Sequence, residues 1–253
     1  MTWLMVVEDV SYHRHFRSVP IRFAIEELKF LRSIKDLRNF YNKLKIVVPR
    51  VIGTFETYYK APPILHIEPT NVCNADCICC PVSRSTRPRG HMEFSLFQKI
   101  IDEASKIGVN SIFLFLHGEP MLHAKIIEML RYIKMNGLSF HLTTNGIPFN
   151  EKKIRGILRS GVDNGDHVSF SIQGASEEVH DHIVGRKSYV KVVNNLHLFL
   201  ELRRELNING PIIETVHYIM PENQHETQKY LQNWTGIVDH VRLSGEISQS
   251  FSE

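Results

Sequence analysis

The chain has 253 residues, of which 43% are apolar and 23% charged, enough for one large domain with an extension and ordinary for a water-soluble globular fold. Its longest apolar runs, such as IFLFL at 112–116, are too short to cross a bilayer, and MTWLMVVEDV at the N-terminus lacks the basic start and apolar stretch of a signal peptide. All four cysteines fall within residues 73–80, too crowded to tie distant loops together; this argues against a disulfide scaffold and points to a reducing cytoplasm.

The net charge of +3 divides unevenly. Residues 1–60 hold eleven Lys/Arg and six Asp/Glu, a balance of +5, and the remaining nineteen and twenty-one leave −2. Within the basic part, Ile21, Ile25, Leu28, Leu31, Ile34, Leu37, Tyr41 and Leu44 recur at helical spacing over 21–46 with Arg22, Lys29, Arg32, Lys35, Arg38 and Lys43 between them. Such a helix either packs its stripe on the main domain or lies on a membrane surface or nucleic acid. KAPP at 60–63 reads as a linker, because consecutive prolines disfavour helix.

From Ile64 onward the pattern is rhythmic. Strand-like runs at 64–69, 111–118, 138–146, 167–174, 212–220 and 240–245 alternate with stretches of helical period. FSLFQKIIDEASKIG and AKIIEMLRYIKMNG each end at a glycine, as a helix C-terminus should. The alternation predicts an α/β fold of parallel strands, either a partial barrel or a doubly wound sheet, with function at the C-terminal strand ends.

The unusual residues fall at those ends. CNADCICC follows the first strand, and spacings of four and three let Cys73, Cys77 and Cys80 surround a single inorganic group. Thiolates select zinc or iron–sulfur clusters. A structural zinc needs a fourth ligand that no second pair supplies, whereas three thiolates on a four-iron cluster leave one iron open for a substrate or cosubstrate. Cys79 is adjacent to Cys80, so the two side chains leave the backbone in different directions.

Cys73-x3-Cys77-x2-Cys80 after a first strand resembles the signature of the radical S-adenosylmethionine (radical SAM) enzymes. The likeness covers roughly residues 62–245 and implies a partial (β/α)6 TIM-like barrel over 62–253, preceded by a helical basic extension over 1–61. It further implies a [4Fe–4S] cluster on Cys73, Cys77 and Cys80, with S-adenosylmethionine at the open iron. By the same resemblance, an electron from a donor such as flavodoxin or ferredoxin cleaves the cosubstrate, and the 5′-deoxyadenosyl radical takes hydrogen from a peptide or small-molecule substrate.

HGEP at 117–120 resembles the motif that receives the methionine amino group, with Gly118 allowing close approach, Glu119 facing the ammonium and Pro120 completing the turn. His117 departs from the glycine common there; the alternative is a simple turn with a solvated glutamate. TTNG (143–146) and SIQG (171–174) end the third and fourth runs. By resemblance Ser171, and with it Asn145, contacts ribose or the methionine carboxylate, while Thr143 and Thr144 read as turn chemistry. Many relatives carry aspartate where Gln173 stands. Arg186 is a candidate for the methionine carboxylate or a surface ion pair. Cys79 occupies a place commonly aromatic in the family, along the adenine. The basic loop SRSTRPRG (83–90) is either solvated or faces an anionic substrate or electron donor, and the scattered histidines read mostly as packing or surface residues.

Relatives of the SPASM-associated type add a C-terminal domain with cysteines for auxiliary clusters. This chain has no cysteine after Cys80, which leaves a truncated chain or an enzyme working with one cluster. Two other classes compete: an iron–sulfur electron carrier, and a zinc-stabilised module whose basic helix engages nucleic acid or membrane.

Overall fold

The computed structural model describes residues 62–245, so the expected amphipathic helix at 21–46 lies outside the described residues. Six strands form one sheet in the order of the chain: β1 (Ile64–His66), β2 (Ser111–Leu114), β3 (Ser139–Thr144), β4 (His167–Ser171), β5 (Ile212–Tyr218) and β6 (His240–Ser244). Every neighbouring pair is parallel. A doubly wound sheet reverses its order at a switch point; this one never does. Successive crossovers of one hand then put the helices on one face, and the sheet curls toward a barrel.

The helices are α1 (Phe94–Ile107), α2 (Ile126–Met135), α3 (Glu151–Leu158), α4 (Glu177–Val184), α5 (Tyr189–Glu205) and α6 (Thr227–Trp234). Gly108 ends α1 in the left-handed conformation (φ 93°), and its N–H donates to Ala104 and Ser105. The side chains of Asn150 and Ser176 cap α3 and α4 by accepting from Lys153 N and Val179 N.

Registers such as Ile112↔Phe140, Leu142↔Val168 and Val168↔Ile213 align the fully buried outward residues beneath the helices. There they meet Phe97, Met129, Ile154, Leu196 and Tyr230 in one continuous core. Each such side chain contributes about 1.5–3 kcal/mol through burial. The alternate positions (Phe113, His141, Ser169, Ser171, Glu214) face the concave side. Among the described residues, no helix is long and apolar enough to cross a membrane.

The strands are shorter than the periodicity predicts: β1 stops at His66 and β2 at Leu114. The motif residues that follow have left the ladder, and Gly118 sits at φ +91°.

Candidate active site

The cysteine loop is braced from both sides. On one side, Thr70 Oγ1 donates to Gly90 O (2.8 Å), Asn71 Nδ2 to Pro88 O (2.9 Å), and Asn71 Oδ1 accepts from Gly90 N (2.8 Å). Arg89 donates to the carbonyls of Asn71 and Val82, while Arg87 forks onto the buried Glu68 at 2.6 and 3.3 Å. The basic loop is therefore neither simply solvated nor free at these two arginines. On the other side, Asp76 N and Ile78 N donate to Val184 O and Ile183 O at the end of α4, both at 3.0 Å. Arg186 donates to the carbonyl of Asn74.

Within the loop, Cys80 N donates to Cys77 O (3.0 Å), a turn that draws the two residues together. All four thiols are free; Cys73, Cys77 and Cys80 are half-buried, and Cys79 is exposed. Burial pushes the Cys77 thiol up to about 12, helped by charge on Cys79, Cys73 and Cys80. Burial raises Cys73 as well, with charge on Glu119 and Cys80 acting in the same direction. Left alone these groups stay protonated. A cationic metal centre reverses that balance, since a coordinating thiol gives up its proton.

The ends of β2 and β3 close on this loop. Glu119 N donates to Val72 O at 2.8 Å. The Glu119 carboxylate, only 2% exposed, accepts from Met121 N (3.0 Å), Thr144 Oγ1 (2.7 Å) and Asn145 N (2.7 Å). It is not a solvated turn residue. Pro120 is buried and opens the short 3₁₀ turn beside it. Asn145 Oδ1 accepts from Ile147 N, and its Nδ2 donates to Asn74 Oδ1 (2.8 Å) and lies 3.9 Å from Cys73 Sγ. Ser171 lies half-buried on the concave face of β4. Gln173 is engaged elsewhere: its Oε1 accepts from Tyr218 N (3.0 Å), tying β4 to β5.

Burial holds the Glu119 carboxyl at about 7, up from an ordinary 4.5, against the three donors and Lys153 that favour its charged form. An acid raised on folding binds more protons folded than unfolded. Its stabilising effect is complete below the unfolded value and disappears as pH rises through about 7. Glu119→Gln cannot ionise. It is expected to flatten the stability profile of cluster-free protein between about pH 4.5 and 7, measured by urea melts. An unchanged slope would remove Glu119 as its source.

The superfamily model described as Radical SAM matches residues 67–232, which contain the whole of this arrangement. The chain belongs to the radical SAM superfamily. It is 26% identical over 173 residues to the tungsten-containing aldehyde ferredoxin oxidoreductase cofactor-modifying protein of Pyrococcus furiosus, a match covering 67% of this chain and 48% of that one. Mycofactocin maturase MftC of Mycobacterium ulcerans is 30% identical over 149 residues, 59% of this chain and 39% of the relative. The match thus spans about half or less of these relatives' length. The crystal structure of Streptococcus suis SuiB bound to precursor peptide SuiA superposes with a TM-score of 0.63 at 14% identity, covering 92% of this chain and 52% of that chain. That likeness confirms the partial barrel.

Radical SAM proteins use a [4Fe–4S] cluster and S-adenosylmethionine, and the donor set present here fits such a group. Among the described residues, no three Cys, His, Asp or Glu converge closely enough to hold a single metal ion. Three half-buried thiols on one braced loop are the soft donors that iron–sulfur clusters take. The sequence reading missed a chain of polar side chains on the concave face: Arg242, Glu214, Ser169 and His141. Their signal was a polar residue at every second position of parallel strands that normally read as unbroken apolar runs.

Proposed function

We propose that this chain is a radical S-adenosylmethionine enzyme acting on a peptide, with its [4Fe–4S] cluster on Cys73, Cys77 and Cys80. The observation that carries this reading is the braced loop, which gathers three half-buried thiols while Asn145 joins it to the end of β3. When bound, cluster and cosubstrate supply a 5′-deoxyadenosyl radical that takes a hydrogen atom from the substrate.

The protein's own residues bind, orient and exclude water. Gly118, without a side chain, lets the backbone of Thr70 and Asn71 at the start of the cysteine loop pack against the end of β2 instead of leaving that space to a ligand. Glu119, poised at about 7, becomes fully ionised beside an ammonium group; its Oε2 accepts one hydrogen bond here and has capacity for another. Pro120 fixes the turn that holds it. Asn145 and Ser171 offer hydrogen bonds to ribose hydroxyls or a carboxylate. Arg186 keeps the loop carbonyl of Asn74 in place, and its remaining donors would suit the methionine carboxylate. Cys79, exposed and within range of the Glu222 charge after β5, offers a small polarizable contact to adenine.

A peptide substrate is supported by the maturase among the relatives and by the precursor peptide bound to SuiB. The electron comes from a reductase of the flavodoxin or ferredoxin kind, in a reducing compartment. Anaerobic reconstitution with iron and sulfide, then dithionite and S-adenosylmethionine, is expected to yield 5′-deoxyadenosine. An electron carrier would hold iron and yield none. A zinc module would hold neither iron nor the activity.

A further inference from the structure

Four adjacent strands contribute to one hydrogen-bonded chain on the concave face of the barrel. Arg242 of β6 forks onto Glu214 of β5 through Nε (3.1 Å) and Nη2 (2.9 Å). Ser169 Oγ of β4, fully buried, donates to Glu214 Oε2 at 2.6 Å. His141 Nε2 of β3 lies 2.6 Å from the same hydroxyl. The direction of each bond follows from chemistry. A carboxylate forked by arginine only accepts, so the single hydroxyl proton of Ser169 is committed to Glu214. Ser169 must then accept from His141, which places the imidazole proton on Nε2 and leaves Nδ1 as an unprotonated acceptor.

The ring carrying that acceptor stands in an aromatic wall. His141 lies 4.8 Å from Phe113 and 5.9 Å from Phe115, centroid to centroid, and 5.2 Å from His167, on which it stacks. Phe113 and Phe115 are half-exposed on the concave side, unlike the sealed residues beneath the helices. His141 precedes Asn145 by four residues on the same strand face, about 13 Å at ~3.3 Å per residue.

A sheet staple alone is a poor account of this arrangement. An ion pair whose arginine is 45% exposed adds little net stability, and the opposite face already supplies a complete core. We infer that the inner face of the barrel is a substrate site for an aromatic side chain bearing one hydrogen-bond donor, its ring on Phe113 and Phe115 and its O–H or N–H donated to His141 Nδ1. Tyrosine and tryptophan share this chemistry, and phenylalanine lacks the donor. The inference deepens the reading of this chain as a peptide-modifying barrel enzyme and rests on it.

The acceptor persists across the working pH range. Burial and then the neighbouring His167 hold His141 down at about 4, with Arg242 and His66 acting the same way and Glu214 opposing them. The imidazole is neutral at any pH well above that value.

The test uses the full chain, with and without reconstituted cluster, and reads binding by NMR of 15N-histidine-labelled protein rather than turnover. The free protein is expected to show His141 as the Nε2-protonated tautomer at neutral pH. N-acetyltyrosinamide or N-acetyltryptophanamide is expected to shift Nδ1 and to bind about fivefold more tightly than N-acetylphenylalaninamide, the worth of one hydrogen bond; the stronger of the two identifies phenol or indole. His141→Phe keeps a ring in the wall but has no acceptor, and should reduce that preference to about one. An Nδ1-protonated or charged imidazole at neutral pH would overturn the inference. So would equal binding of all three amides to wild type, or no binding of any. Formation of 5′-deoxyadenosine is measured separately, so failure here with that activity intact rejects only the substrate site.

Discussion

Alanine at Cys73, Cys77 or Cys80 is expected to remove the iron from anaerobically reconstituted protein and to abolish 5′-deoxyadenosine formation, whereas Cys79→Ala is expected to retain both. The expectation comes from the unequal placement of four neighbouring thiols. Three are half-buried in the braced loop, and Cys79 is exposed. A cluster held by three thiolates has no redundancy, so loss of any one leaves an iron without its ligand. On the proposed assignment Cys79 offers only a contact, and its replacement is expected to weaken cosubstrate binding by no more than a few fold, about 1 kcal/mol or less. Iron and sulfide analysis of the four variants decides the matter. Iron loss in Cys79→Ala equal to the other three would make Cys79 a ligand and close the cluster against cosubstrate.

Gly118→Ala is the second large effect, and it acts through the backbone. Gly118 adopts φ +91°, and a Cβ there would stand 2.3 Å from Thr70 O and 2.8 and 2.9 Å from the Asn71 Cα and C atoms. All three are main-chain atoms at the start of the cysteine loop, so no side chain can rotate away. Strain at positive φ costs about 1–2 kcal/mol, and the forced backbone shift brings the total to about 3 kcal/mol or more. A domain of this size then melts roughly 10 °C lower. The loop start moves with it, so cluster incorporation falls in parallel. Gly137→Ala is the control, because it has φ +72° but nothing within 4 Å. It is expected to lose only the strain, about 1 kcal/mol, and to take up a full cluster. Equal melting temperatures for the two variants would show that the close approach at Gly118 does not matter.

The barrel was legible because its signals are local. Apolar runs separated by helical periods give strand and helix directly, and Gly108 ends α1 where the pattern predicts. The cysteine spacing and the residues at strand ends were equally readable, since each motif lies within a few residues. What the sequence hid depends on contacts between distant segments. Arg87 and Arg89 look like solvated charges until the fold brings Glu68, Asn71 and Val82 against them. Arg186 is more than a hundred residues from Asn74, yet its guanidinium meets that carbonyl. Glu119 reads as facing an ammonium, with a solvated turn acid as the alternative, and nothing local shows that Thr144 and Asn145 from the next strand bury it. His141, Ser169, Glu214 and Arg242 each look unremarkable alone, and only strand register places them side by side.

The central claim is that the cysteine loop holds a four-iron cluster with one iron open to S-adenosylmethionine. Electron paramagnetic resonance of the reconstituted, dithionite-reduced protein tests it most directly, recorded before and after adding the cosubstrate. A reduced four-iron signal is expected, and its shape should change on addition, as it would if the cosubstrate met an iron that the three cysteines leave open. A four-iron signal that the cosubstrate leaves unaltered would contradict it.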